Sequence, residues 1–177
     1  FIPLPSNVQF KKDMRWSEHS VILTVGRLQA RKGHDKMIEA MPSILASHPK
    51  TLYCIIGDCD QKSRLLQLVN ELQLIDNVIY LTEVSDEEMI KCYQQCDIFI
   101  LPNRTIANDI EGFGMVLVEA QACGKVVIAG DSGGTVETML PQQTGFIIDC
   151  TKADSIATKI KQLLSDPRLS RSMGEKG

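Results

Sequence analysis

Val21-Ile22-Leu23-Thr24-Val25 is a nearly continuous apolar run that ends at Gly26. A run without polar alternation is typical of a strand buried on both faces, as in a parallel sheet. Apolar side chains then recur at helical spacing from Met37 to Leu45, which predicts an amphipathic helix. Because parallel strands need a crossover connection, usually a helix, this strand–helix unit predicts an α/β fold.

The strand–helix unit repeats along the rest of the chain. Further strands are predicted at residues 52–56, 78–81, 98–101, 126–129 and 146–148. Further helices are predicted at residues 65–72, from a capping box at 85–88 onward, and at residues 112–123, 134–140 and 154–164. Alternation on this scale predicts a doubly wound, parallel, Rossmann-like sheet, and six strands fit the order 3-2-1-4-5-6.

The first eighteen residues lack this rhythm. Prolines in the opening stretch favour an extended linker, and the charged residues 11–18 predict a loop over the surface. We therefore expect an interdomain linker and lead-in over residues 1–18 and one domain over residues 19–177. Because the chain begins at Phe1 rather than at Met, we expect it to be a piece of a longer protein.

The composition excludes several functional classes. Of 177 residues, 44% are hydrophobic and 23% are charged, and the formal net charge is −3. These values indicate a globular domain and provide no basic footprint for nucleic acid. No apolar run approaches the ~18 residues of a membrane span.

The cysteines predict a reducing environment. None of the six forms a C-x-x-C pair, and four lie inside predicted apolar segments, namely Cys54, Cys92, Cys96 and Cys123. Free cysteine in such a segment behaves as a small hydrophobic residue. We therefore expect reduced core thiols and a cytoplasmic location.

Sheets of this type bind ligands at the carboxyl ends of their strands, near the point where the strand order reverses. The loops predicted to reach that edge are residues 26–33, 57–61, 82–85 and 102–114.

The first of these loops reads Gly26-Arg27-Leu28-Gln29-Ala30-Arg31-Lys32-Gly33. Two glycines bracket three cations before a predicted helix, and glycines, cations and a helix N-terminus together favour an anion. The spacing is neither that of a G-x-G-x-x-G fingerprint nor that of a P-loop. A solvated basic turn is the alternative for this loop taken alone.

The loop after the fourth predicted strand is polar and then tightens into Glu111-Gly112-Phe113-Gly114. Its glycines would free backbone N–H groups at the start of the next helix. Glu119 follows Glu111 by eight residues, about two helical turns, which predicts that both carboxylates point toward one side. Carboxylates beside an anion-binding helix end suit a sugar diphosphate. The alternatives are a surface carboxylate at Glu119 and a helix-dipole partner at Glu111.

Residues 111–124 closely resemble the E-x7-E region of the family 4 (group 1) glycosyltransferases, which have the GT-B fold. The similarity covers roughly His19 to the end of the chain, and supporting segments are residues 25–27, 32–33, 55–58, 127–134, 166–167 and 173–174. In that family this region is the C-terminal domain, which binds the nucleotide-sugar donor. The resemblance therefore implies that an N-terminal acceptor domain is missing here.

The resemblance implies a role for each matching residue. Arg27 and Lys32 would hold the diphosphate, and Glu111 would contact hydroxyls of the donor sugar. The remaining donor contacts would involve Gly26, Gly57, Val84, Phe113, Gly114, Met115, Val116 and Glu119. Among these, the N–H groups of residues 113–116 would contact phosphate and sugar, Glu119 would bind the ribose hydroxyls, and the backbone of Val84 would meet the base.

The resemblance also implies the chemistry. The full enzyme would transfer a sugar from a nucleoside diphosphate to an acceptor with retention of configuration and without a cofactor. The arginine-containing loop resembles the corresponding loop of mannosyltransferases that elongate phosphatidylinositol or polysaccharides, which suggests GDP-mannose as the donor, with a UDP-sugar as the alternative. The acceptor, and any peripheral membrane contact, would belong to the missing half, so we expect this chain alone to be inactive.

The chain departs from the family pattern at residues 57–60 and in its loop over residues 103–110, which is longer than in many members. The family usually has Gly-x-Gly-Pro where this chain has Gly57-Asp58-Cys59-Asp60. The D-x-D spacing of that stretch suits a divalent metal in another glycosyltransferase fold, but the resemblance implies metal-free catalysis, with Arg27 and Lys32 in place of the ion. The alternative functions are a non-catalytic nucleotide-binding α/β module and a sugar-nucleotide epimerase of similar fold.

Overall fold

The computed structural model describes residues 1–58 and 61–177 and contains a six-stranded, all-parallel sheet. Its strands are β1 (Ser20–Val25), β2 (Thr51–Ile56), β3 (Val78–Leu81), β4 (Ile98–Leu101), β5 (Val126–Gly130) and β6 (Gly145–Ile148). They are arranged in the order β3-β2-β1-β4-β5-β6. This confirms the predicted fold class, the predicted strand order and all six predicted strands.

The helices lie on both faces of the sheet. They are α1 (Val8–Asp13), α2 (His34–Leu45), α3 (Lys62–Glu71), α4 (Asp86–Gln95), α5 (Met115–Ala122), α6 (Ala153–Ser165) and α7 (Pro167–Gly174), with short 3₁₀ turns at Ala30–Lys32 and Gly133–Glu137. The predicted capping box at α4 is confirmed, because Glu88 N–H donates to the Ser85 hydroxyl while Ser85 N–H donates to the Glu88 carboxylate. The predicted helix over residues 134–140 is instead the second 3₁₀ turn.

Two apolar cores, one on each face, explain why the strands lack polar alternation. Successive side chains of a strand point to opposite faces. In β1, Ile22 joins a core with α2, α3 and α6, whereas Val21 and Leu23 join a second core with α4 and α5. Both faces of the central strands are therefore buried.

The predicted surface loop over residues 11–18 was wrong. The segment begins inside α1, and the fully buried Trp16 packs edge-on against Phe10, with ring centroids 5.8 Å apart. This one tryptophan anchors the segment to the second core, although most of the residues next to it in the sequence are charged. The preceding residues also contact the domain, because the Gln94 amide donates to Ile2 O (3.0 Å) and the Gln95 amide donates to Pro5 O (3.1 Å). That residues 1–18 link two domains stays a prediction.

Helix α5 begins at Met115 rather than at the predicted residue 112. Gly114 precedes it with φ +80°, a left-handed conformation that cannot continue a right-handed helix. Glu111 therefore lies outside the helix, and the expectation that helical spacing aligns Glu111 with Glu119 was wrong.

The described cysteines are free and buried. Burial raises the pKa of Cys92, Cys96 and Cys150 to about 12, so these thiols stay protonated at neutral pH. Cys59 lies outside the described residues. None of the described helices combines the length and apolar character needed to cross a membrane.

Candidate functional site

Two loops form one unit at the carboxyl edge of the sheet. We call residues 26–33 the basic loop and residues 102–114 the insertion loop. A Cβ atom on Gly33 would lie 1.7 Å from Pro102 O, and φ at Gly33 is +71°, so only glycine permits this approach. Arg104 N–H donates to Arg31 O (2.8 Å), and the Arg104 guanidinium forms two 2.8 Å hydrogen bonds with Asp35 at the start of α2.

The glycines before these loops set the backbone path. Gly26 N–H donates to Ile56 O (2.9 Å), and Gly57 N–H donates to Leu81 O (3.1 Å). A Cβ on Gly57 would lie 2.1 Å from Gly26 O, and Gly57 has φ +151°. The backbone of Gly57 therefore packs directly against Gly26, the first residue of the basic loop. The predicted donor contacts of Gly26 and Gly57 stay predictions.

The three cations of the basic loop have different environments. Arg27 is exposed, and within residues 1–58 and 61–177 its side chain makes no ion pair or hydrogen bond. The Lys32 side chain is only 10% exposed, and its Nζ lies 2.8 Å from Glu111 Oε2. Arg31 contacts the same oxygen through Nη1 and Asp109 Oδ1 through Nε (3.0 Å). The solvated-turn alternative therefore describes Arg27 alone.

Glu111 is the carboxylate on which the two loops converge. Its side chain is 8% exposed, and both cations contact Oε2. In the part of the chain that the structure describes, Oε1 makes no ion pair or hydrogen bond. Glu111 can therefore accept a further hydrogen bond while its charge is already balanced.

A glycine pair after β5 supports the backbone of Glu111. Gly134 N–H donates to Gly112 O (2.8 Å). A Cβ on Gly133 would lie 1.7 Å from Glu111 O, and φ at Gly133 is +66°. In the sequence these glycines stand out only as part of a segment that resembles the family. Nothing in the sequence indicated that they would contact the backbone of residues 111 and 112.

The start of α5 presents unpaired donors beside Glu111. Among the described residues, the N–H groups of residues 113–116 make no hydrogen bond. A helix N-terminus carries partial positive charge, so this turn is suited to an anion. The structure thus brings these N–H groups, Lys32 and Glu111 to one edge, as expected, while their roles toward a donor stay predictions.

Glu119 lies toward α4 and has a different partner from Glu111. The fully buried Tyr93 donates its hydroxyl hydrogen to Glu119 Oε2 at 2.7 Å. Burial and the adjacent carboxylate raise the pKa of Tyr93. This hydrogen bond gives Glu119 a structural reason to occupy an apolar helix. Val84, one residue before the cap of α4, packs against the same core as Tyr93. The predicted ribose and base contacts of Glu119 and Val84 stay predictions.

Sequence reasoning missed Asn103, which joins the loops after β4 and β5. Its side chain is 1% exposed. Its Oδ1 accepts from Gly130 N–H (2.9 Å), and its Nδ2 donates to Ser132 O (2.9 Å) and to Thr135 Oγ1 (3.2 Å). A polar residue after a strand is ordinary in a loop, so only the fold reveals this role.

His34, the first residue of α2, is buried beneath the basic loop and lies next to its backbone. Its Nδ1 lies 3.3 Å from the Tyr53 hydroxyl and its Nε2 lies 3.4 Å from Arg27 O. Burial is the main cause that lowers the pKa of His34 to about 4. The neutral imidazole is therefore the form that the folded state favours.

This burial predicts that acid destabilises the fold. In the unfolded chain His34 protonates near pH ~6.5, whereas in the folded chain it resists protonation until about pH 4. The unfolded state thus binds more protons between these values, and the free energy of unfolding should fall by about 2 kcal/mol from pH 7 to pH 5. Denaturant titrations at several pH values measure this, and His34→Gln should flatten the profile. An equal slope in both proteins would contradict the prediction.

The D-x-D stretch is not placed, because Cys59 and Asp60 lie outside the described residues. Asp58 Oδ1 lies 4.0 Å from Lys62 Nζ. Within the described ranges, no group of three or more His, Cys, Asp or Glu side chains is arranged to hold a metal ion.

A cavity of about 460 Å³ lies at the opposite edge of the sheet, beside Ser20, Asp97 and Val126. These residues stand at or next to the amino ends of β1, β4 and β5. We place the functional site at the carboxyl edge, because the paired carboxylate, the cations and the open N–H groups meet there.

Known proteins agree with this architecture. The family model "Glycosyl transferases group 1" matches residues 7–177. A GDP-mannose-dependent alpha-(1-6)-phosphatidylinositol monomannoside mannosyltransferase of Mycolicibacterium smegmatis is 34% identical over the whole chain, which covers 47% of that protein. The chain thus spans about half the length of this curated relative.

Solved structures show the same fold. The C-terminal domain of the group 1 family glycosyl transferase LpcC from Francisella tularensis superimposes with a TM-score of 0.84 at 25% identity, over 99% of this chain and 91% of that one. Sucrose-phosphate synthase from Thermosynechococcus elongatus gives a TM-score of 0.86 at 28% identity, over 99% of this chain and 43% of that one. The chain belongs to the group 1 glycosyltransferases.

Proposed function

We propose that this chain binds the nucleoside diphosphate sugar of a retaining glycosyltransferase at the carboxyl edge of its sheet. One observation carries the proposal: Glu111, with Oε1 open, lies between the cationic basic loop and the open N–H groups that begin α5. A ligand with negative charge on one side and hydroxyls on the other fits this arrangement. A sugar diphosphate has both.

The same arrangement supports a mechanism based on charge. Bond cleavage leaves negative charge on the departing diphosphate, and Arg27, Lys32 and the start of α5 would stabilise it. Lys32 Nζ already touches Glu111, so it would lie between that carboxylate and the diphosphate. Glu111 would accept a hydroxyl hydrogen bond at Oε1 and orient the sugar. In this account cationic side chains do the work that an ion performs in metal-dependent enzymes.

The donor we propose is GDP-mannose, because the mycolicibacterial relative is named for its dependence on it. Since the chain covers 47% of that relative, we propose that another half of the enzyme binds the acceptor. The donor face opposite this domain would otherwise face water, and acceptor positioning alone is worth ~7–11 kcal/mol of barrier. We therefore expect no transfer by residues 1–177 alone. The buried free thiols favour a cytoplasmic location.

Isothermal calorimetry on this chain tests the proposal. We expect GDP to bind weakly, more tightly than UDP or ADP, with heat that EDTA leaves unchanged. Binding of UDP in preference to GDP would redirect the donor assignment. No heat from any of the three at millimolar concentration would contradict the proposed function, and loss of binding with EDTA that Mn²⁺ restores would contradict the metal-free account.

A further inference from the structure

We propose that Arg31 is a positioning residue, which fixes Glu111 for the donor sugar and balances its charge when the diphosphate engages Lys32. This inference rests on the proposed function. It assigns a role to Arg31, the basic-loop cation that has no proposed contact with the diphosphate.

Arg31 is committed to protein partners on three sides. Its Nη1 contacts Glu111 Oε2, its Nη2 donates to Gln29 Oε1 (3.0 Å), and its Nε lies 3.0 Å from Asp109 Oδ1. The side chain is 12% exposed. A guanidinium offers its donors in a fixed planar fork, so these contacts define its orientation. Arg27, by contrast, is exposed and available to a phosphate.

A carboxylate as buried as that of Glu111 is costly unless it remains paired. Two cations pair with it in the structure, but an incoming diphosphate competes for Lys32. Arg31 cannot turn toward the phosphate without losing Asp109 and Gln29. It therefore stays with Glu111 and keeps Oε2 occupied, which leaves Oε1 as the oxygen that faces the sugar.

A tight turn in the insertion loop brings Asp109 to Arg31. Residues 106 and 109 exchange backbone hydrogen bonds of 3.0 and 2.9 Å across a tight turn in which Ala107 has φ +51°. This turn presents Asp109 to Arg31. The Arg31–Asp109 contact attaches the insertion loop to the basic loop, and the Arg104–Asp35 pair attaches it to the start of α2. Arg31 thus couples the position of Glu111 to the conformation of that loop.

The test separates sugar recognition from diphosphate binding. Dissociation constants for GDP and for GDP-mannose are measured by calorimetry on wild type, Arg31→Gln, Glu111→Gln and the double variant. In Arg31→Gln we expect some loss of GDP affinity, because Glu111 then competes with the diphosphate for Lys32, and a loss of GDP-mannose affinity about tenfold larger, the size of a lost charge-assisted hydrogen bond. The double variant should lose no more GDP-mannose affinity than the single variant that binds GDP-mannose more weakly, because the two residues act as one unit.

Two controls sharpen the result. Arg168→Gln removes an exposed arginine from α7 and should leave both affinities unchanged. Arg31→Lys keeps the charge but not the fork, so we expect it to recover only part of the GDP-mannose affinity. Equal losses for GDP and GDP-mannose in Arg31→Gln, additive losses in the double variant, or an unchanged affinity ratio would each overturn the inference. Absence of binding in wild type would instead contradict the proposed function itself.

Discussion

Replacing Lys32 by methionine should lower the rate of sugar transfer by about 10²–10³-fold in an active enzyme that contains this chain, the cost of losing one preorganised charge donor. Lys32 is the buried cation that reaches Glu111 from the basic loop. Its loss leaves Glu111 paired with Arg31, so the fold should persist while stabilisation of the leaving diphosphate is lost. Initial rates at saturating donor measure the effect.

A matched substitution distinguishes this role from a general effect of lost charge. Lys36→Met removes a partly exposed lysine on α2 that pairs with Glu39 (2.5 Å). We expect its transfer rate to stay near that of wild type. A Lys32→Met enzyme that retains its rate within tenfold, or a Lys36→Met enzyme equally impaired, would contradict the assignment of Lys32 to the diphosphate.

Gly133→Ala should lower the free energy of unfolding by about 2–4 kcal/mol, because it adds a left-handed backbone cost to a backbone clash. The new Cβ would lie 1.7 Å from Glu111 O, and φ at this position is +66°. Relief of the clash changes the position of Gly133 relative to Glu111, so we expect donor binding to weaken as well. Urea unfolding measures the first effect and calorimetry with GDP-mannose the second.

Gly112→Ala is the control for Gly133→Ala. A Cβ at Gly112 would meet no heavy atom within 4 Å. The free energy of unfolding of Gly112→Ala should therefore stay within ~0.5 kcal/mol of wild type. If Gly133→Ala unfolds with the same free energy as wild type, the close approach between the loop after β5 and Glu111 is not a constraint on the fold.

The sheet was predictable because its strands are buried on both faces. Each strand stands in the sequence as an apolar run, and strand–helix alternation then leaves few topologies. Features that depend on a single long-range contact or on the backbone angle of one residue were not predictable. Trp16 docks a charged segment, and the left-handed Gly114 delays α5 to Met115. Neither produces a periodic pattern.

The arrangement of the candidate site was predictable by location and residue type but not by pairing, and its role toward a donor stays a prediction. Placing both loops at the carboxyl edge follows from the topology, and the sequence singles out Lys32 and Glu111. The sequence alone cannot show that Arg31 and Lys32 share one oxygen of Glu111, since the partners are about eighty positions apart. For the same reason it could not predict that Glu119 accepts from Tyr93 rather than pointing to the side of Glu111.

A crystal structure of this chain with GDP would test the central claim most directly. We expect the diphosphate at the carboxyl edge, within hydrogen-bond distance of Lys32 Nζ and of the N–H groups that begin α5, with Glu111 Oε2 still in contact with Arg31. Nucleotide bound instead in the cavity beside Ser20 and Asp97, at the amino edge of the sheet, would contradict it.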